Sequence, residues 1–199
     1  AENISRYTDG RFAPHGELNE SPSPLSGPPH PTPRPPPEPA EEMPTGRTGF
    51  LFTEEDLSPG WVLRALPEPP VGHAALTSVS GRSPRPVAEQ VHAFTHDAVE
   101  DARARWGGRC GATGPLAQDV REIADWARDT ALDQVVTAHA PVGPAASALR
   151  RLEAILAKDG IGLTRLLRPW DATVWPCATH GYFRFKGHIP NFIHRLVDK

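Results

Sequence analysis

The sequence predicts an α/β fold, an open parallel sheet flanked by helices and preceded by an extended Pro-rich stretch. Three observations predict it. Short apolar runs bounded by Gly and polar residues recur after residue 46, helical windows with apolar residues at steps of three and four separate them, and half of the 24 prolines fall between Pro14 and Pro44. A chain that alternates strand and helix closes right-handed βαβ units on a parallel sheet.

The Pro-rich stretch comes first. SPSPLSGPPHPTPRPPPEPAEEMP, from Ser21 to Pro44, has polyproline-II linker composition, because proline fixes φ and cannot donate to a helix or a ladder. A PxxP ligand is the alternative use of such a stretch. TGFLF, Thr48 to Phe52, is the first predicted strand, and AALTSV, Ala74 to Val79, the second. Pro86 stands where a helix can start, and Val87, Val91, Phe94, Ala98 and Ala102 then line one face as far as Trp106, where Gly107 and Gly108 end it. A second helix is predicted from Pro115 to Thr130, with Leu116, Val120, Ile123, Ala124 and Ala127 on its apolar face. DQVVTA, Asp133 to Ala138, is the next strand. Pro144 opens a helix that runs to about Lys158, burying Leu149, Leu152, Ile155 and Leu156, and Gly160 caps it before the strand Ile161 to Leu167. The tail from Pro169 onward is rich in aromatic residues, His and Arg, and is expected to pack across the domain or on a partner.

Composition limits what this fold can do. The net charge is −3, from 21 basic and 24 acidic residues, so nothing pulls the whole chain toward nucleic acid or an anionic membrane. No apolar run is long enough to span a bilayer and no signal-peptide pattern opens the chain, which gives the expectation of a cytoplasmic protein without a membrane partner. Cys110 and Cys177 make no spacing pattern and read as two thiols of a reducing compartment rather than a disulfide. The opening segment, with aromatic and charged residues and no initiator Met, reads as the end of something packed or as a processed start.

Ligands of an open parallel sheet bind beyond the carboxyl ends of its strands, where the strand order switches. That rule selects Thr53, Glu54, His139, Gly143, Trp170 and Asp171 as the candidate cofactor-binding crevice. In APVGP, backbone N–H groups after Gly143 could hold a phosphate or carboxylate, although a Gly between prolines is also an ordinary turn device. Glu54, Glu55 and Asp56 could act as acid and base or bind a metal, but three acids after a strand also make a solvated loop that favours a helix start. Cys177, His180, His188 and His194 lack the paired short spacings of a zinc site, and no metal is expected. Trp170 and Trp175 fit core or interface positions. Arg184, Lys186, His188, His194 and Arg195 alternate with Tyr182, Phe183, Phe185 and Phe192, a mixture that suits either nucleic-acid stacking or an amphipathic docking helix.

Longer stretches carry a resemblance. GFLFTEEDLSP resembles the first strand and following loop of the α/β domain in the photolyase/cryptochrome flavoproteins, and VREIADWARDTALDQVVTAHAPVGPAASALRRLEAILAKDGIGLTRLLRPWD is similar to a later helix, strand, helix and strand of that domain. NISRYTDGRF is similar to the segment leaving the helical flavin-binding domain in a bacterial cryptochrome-like subgroup, in which the helical domain comes first and the α/β domain last. The resemblance implies a Rossmann-like sheet of the photolyase α/β type. It also implies a division into residues 1–20 as the tail of a helical domain, 21–46 as linker and 47–199 as the α/β domain.

By the same resemblance FAD belongs to the helical domain of the intact protein, which is then the partner of this chain and its route to DNA. No cofactor is expected in this chain itself, which by the resemblance supplies either a support domain or an antenna-chromophore site. Blue-light-driven DNA repair, as in a deoxyribodipyrimidine photolyase-like lyase, or photoreception would be the work of the intact protein, and no catalytic residue of the family maps onto a position here. The residues leave two other readings open, a stand-alone nucleotide-binding module and a degenerate structural domain. The turn Thr53 to Asp56 has acids in place of a Gly-rich phosphate loop, which weighs against the first of these.

Overall fold

The computed structural model describes residues 2–19, 21–29, 32, 34–40 and 43–197, and side chains as far as Leu196. His30, Pro31, Pro33, Glu41 and Glu42 of the Pro-rich stretch, and Asp198 and Lys199 of the tail, lie outside the described residues. The chain forms two units, Ala1–Arg34 and Pro35–Lys199. The first carries one short helix, α1 (Glu2–Tyr7). The described residues of 21–46 form no helix or strand.

The second unit holds five strands, β1 (Thr48–Thr53), β2 (Gly72–Leu76), β3 (Ala112–Ala117), β4 (Gln134–Ala138) and β5 (Gly162–Leu166). They form a single sheet in the order β3-β2-β1-β4-β5, and every pairing is parallel. The helices between them are α2 (Gly60–Ala65), α3 (Glu89–Trp106), α4 (Val120–Asp129) and α5 (Pro144–Leu156), followed by α6 (Pro169–Val174), α7 (Tyr182–Lys186) and α8 (Ile189–Val197).

The sheet is covered on both sides. Leu51, Ala74, Leu76 and Val135 face Ile123, Ala124 and Ala127 of α4 and Leu149, Leu152 and Leu156 of α5. Phe50, Phe52, Ala75, Val136 and Leu166 face Val62 of α2 and Val99 and Ala102 of α3. Strands buried on both faces are continuously apolar rather than alternating, which is why GFLF and QVV read so clearly as strands.

Four sequence expectations are corrected. The helix expected from Pro115 is instead strand β3 up to Ala117, and α4 starts at Val120 because Asp119 caps it, its Oδ1 accepting from the Arg121 amide at 2.9 Å. Pro115 is tolerated because β3 is an edge strand, where a missing N–H costs no ladder bond. The pairing shifts register between His73 and Ala75 opposite it. The helix expected from Pro86 begins at Glu89, and its buried residues are Thr95, Val99 and Ala102, while Val91 and Phe94 of the expected apolar face are exposed, Phe94 by 75%. The second strand is shifted two residues earlier, to Gly72, and ends at Leu76. Helix α2, unforeseen, fills the connection from β1 to β2.

Gly111 makes the tightest backbone approach. Its φ is +75°, and a Cβ there would lie 2.3 Å from the carbonyl carbon and oxygen of Val71. Gly160 has a similar φ, +72°, with open space around it. Gly160→Ala is expected to cost about 1 kcal/mol, the strain of a left-handed alanine, whereas Gly111→Ala should cost clearly more because the β2 to β3 junction must also move. Urea unfolding of the two variants checks the order.

Candidate crevice at the carboxyl ends of the strands

All five strands are parallel, so their carboxyl ends open on one side. The order switches between β1 and β4, since the chain proceeds from β1 through β2 to β3 on one side and then returns to β4 and β5 on the other. The first loop, TEED, stands over this point, and its acids reach in opposite directions. Glu54 turns toward the end of β2, accepting from the Ser78 amide at 2.8 Å and the Ser78 hydroxyl at 2.6 Å, with the Arg82 guanidinium 3.8 Å away. Its side chain is 5% exposed, and Oε2 is buried without a hydrogen-bond partner. Asp56 turns toward the end of β5. It accepts from the Arg168 guanidinium at 2.7 Å and from the Trp61 indole N–H at 2.8 Å, and its other oxygen accepts from the Ser58 amide at 2.9 Å. Arg168 also lies over the Trp61 ring, 5.7 Å from its centroid, so one guanidinium is held by charge and by the aromatic face together.

Between these groups lies a crevice of about 130 Å³ lined by Glu55, Asp56, Trp61, His139, Arg168, Asp171 and Trp175, among others. His139 meets Trp175 edge to face at 5.7 Å. Burial lowers the His139 pKa from its ordinary value and the nearby Arg165 charge lowers it further, with Asp171 opposing both. The imidazole is therefore neutral at pH 7 and can donate from one nitrogen and accept at the other.

A second crevice, about 520 Å³, lies over the ends of β2 and β3 on the α5 side. Thr77, Ser78, Ser80, Gly81, Gln118, Gly143, Pro144, Ser147 and Arg151 contribute to it. Helix α5 has no side-chain cap: Gly143 is extended and Pro144 has no N–H.

The expected site residues divide between these places. His139 and Asp171 share the small crevice, and Gly143 belongs to the larger one. Glu54 is a buried brace rather than a lining residue, and Thr53 is buried with its hydroxyl unpartnered. Trp170 leaves the site. It packs edge to face on Phe192 at 5.9 Å, because α6 turns its first residues toward α8. Arg168 and Trp61 were not singled out from the sequence, and the only signal available for them was position, one just past a strand and the other just inside a helix. Among the described residues no group of three or more His, Cys, Asp and Glu side chains is placed to hold a metal. Cys110 is buried, and burial pushes its thiol up to about 11.

No family model, curated protein or solved structure matches the chain. Its chemistry is therefore read from the crevices themselves. Among the described residues no helix is long and apolar enough to cross a membrane.

The Asp56 to Arg168 contact joins residues 112 positions apart. A double-mutant cycle with Asp56→Ala and Arg168→Ala should give a coupling of about 1 kcal/mol in urea unfolding, modest because Arg168 is partly exposed. Asp56→Ala should be the more damaging single change, since it also strands the Trp61 N–H.

Proposed function

We propose that this chain is the accessory α/β domain of a photolyase/cryptochrome-like flavoprotein, doubly wound and Rossmann-like in its sheet, and without catalytic chemistry of its own. The observation that carries this reading is the state of the first loop. In a nucleotide-binding sheet that loop offers backbone amides to phosphate. Here it offers Glu54 and Asp56, and both are committed to protein partners on either side of β1. The switch point is thus braced from within, and the space left beside it, about 130 Å³, is well below the usual size of a ligand pocket, which starts at about 300 Å³. Such a domain supports a neighbour. The sequence resemblance supplies that neighbour, the helical FAD-binding domain, and assigns to the intact protein blue-light-driven DNA repair or photoreception.

The test is the absorption spectrum of the chain purified from cells, set beside that of the same chain extended upstream. Flavin bands in the extended protein alone are the expected result. A colourless extended protein overturns the reading.

A second reading is favoured by the crevice at α5. Its serine hydroxyls, the Arg151 guanidinium and the uncapped first turn of the helix would suit the phosphates of a nucleotide. Equilibrium dialysis with ATP decides it: under this reading the chain binds, and Arg151→Ala weakens binding about tenfold, the loss of one charge-assisted contact. No binding by the unaltered chain removes this reading and leaves the first.

A further inference from the structure

We propose that His73 is an acid-operated release for the α3 and β3 edge of the sheet: when its imidazole takes up a proton, His73 and Arg103 confront each other as two cations behind β2 and the edge opens. His73 lies in β2, 1% exposed, between Phe50 of β1 and Thr113 of β3 in the register. Phe52 meets its ring edge to face at 5.7 Å. Gly107, in the turn after α3, lies so close that a Cβ there would be 3.0 Å from the imidazole Cε1. Its Nδ1 is buried without a hydrogen-bond partner.

The charges that face it are few. On α3 these are Arg103, which lowers the His73 pKa after burial has done so, and Glu100, which opposes more weakly. Beyond α3 stand the Cys110 thiol, which is uncharged, and Arg109, which is turned over the Trp106 ring at 5.4 Å. The backbone at Gly111 and Cys110 favours the protonated ring, without outweighing burial. Phe50, Phe52 and Thr113 bring no charge.

Arg103 is also the tie between helix and edge strand. Its side chain is 9% exposed, one terminal nitrogen donates to Glu100 at 2.7 Å, the other donates to the Gly114 carbonyl of β3 at 2.6 Å, and its Nε is buried without a partner. A charge arriving on His73 therefore acts on the residue that fastens β3 to α3. The strand most easily lost is the one already weakened: β3 is an edge, contains Pro115 and shifts register opposite His73.

The sign follows from linkage. A histidine that is hard to protonate in the closed state binds its proton on opening, so closure is fully favoured above about pH 6.5, the ordinary value, and loses ground as the pH falls below it. One proton taken up on opening makes the open population rise up to about tenfold between pH 7.5 and 5.5.

The experiment is amide hydrogen exchange of the whole chain at those two pH values, corrected for intrinsic exchange, comparing peptides of α3 and β3 with those of α4. Protection in α3 and β3 should fall up to about tenfold relative to α4, and His73→Phe should abolish that difference. If His73→Phe does not fold, Arg103→Gln serves instead, since a neutral amide keeps a donor for Gly114 while removing the opposing charge, and the pH-dependent ratio should shrink whatever happens to baseline protection. Equal loss across α3, β3 and α4, or a ratio unchanged by the variant that is measured, overturns the proposal.

Discussion

Strand β1 meets water on neither face, and the architecture follows from that constraint. Phe50, Leu51 and Phe52 are 1%, 0% and 0% exposed, so neighbouring residues of one strand anchor two separate cores. Burying each such side chain contributes about 1.5–3 kcal/mol relative to leaving it in water, which is enough to bind the two helical layers through a single strand. Gly49 belongs to the same constraint. A Cβ there would lie 2.6 Å from the Trp126 ring and 2.4 Å from Leu132, so α4 approaches the strand through the space glycine leaves. With β1 fixed at the centre, the two strands on either side follow, and the first loop necessarily stands over the switch point.

What the sequence revealed depended on how completely each element was buried. Strands β1 and β4 and helix α5 were legible because packing demands an unbroken apolar run or a full helical stripe there. Strand β3 was not, since ATGPLA contains neither an aromatic nor an Ile or Val, and an edge strand with partly exposed residues needs neither. Its Pro115 imitated a helix start, and only the Asp119 cap contradicts that reading. Phe94 misled in a different way, an aromatic in helical register that nevertheless faces outward, because α3 buries the smaller Thr95, Val99 and Ala102 against the sheet. At the strand ends, position alone could be read, and His139, Gly143 and Asp171 do line crevices there. The Asp56, Trp61 and Arg168 arrangement was not, because a contact across 112 residues leaves no local pattern.

Electrostatics divides the mouth of the sheet into two unlike halves. Over β1, β4 and β5 stand Glu55, Asp56 and Asp171 with the Arg168 guanidinium, which is already paired with Asp56, an environment that does not welcome an anion. Over β2 and β3 stand hydroxyls, Gln118 and Arg151 beside an uncapped helix. Glu54 lies on the boundary and belongs to the second half by its hydrogen bonds, which fix Ser78 rather than leaving it to a ligand. Any anion bound near α5 must therefore sit clear of Glu54, toward Arg151 and Ser147. Of these acids, Glu54 and Asp56 have their charges met by Arg82 and Arg168 and by backbone, hydroxyl or indole donors.

A comparable asymmetry separates the two cores. The one beneath α4 and α5 is aliphatic, apart from the Trp126 packed against it. The one beneath α2 and α3 borders His73, Arg103 and Trp106, and each of these three carries a buried nitrogen without a partner. Burying an unsatisfied polar atom costs about 1–3 kcal/mol, and here the atoms are ring and guanidinium nitrogens, whereas on the α4 and α5 side, by strand alternation, they are the hydroxyls of Thr53 and Thr137. The cost of the nitrogens falls next to the edge strand with the poorest β-forming sequence, where cooperative opening would begin. Stability is thereby distributed unevenly, with α4 and α5 holding the sheet from one side while α3 and β3 remain the part that a change in charge can move.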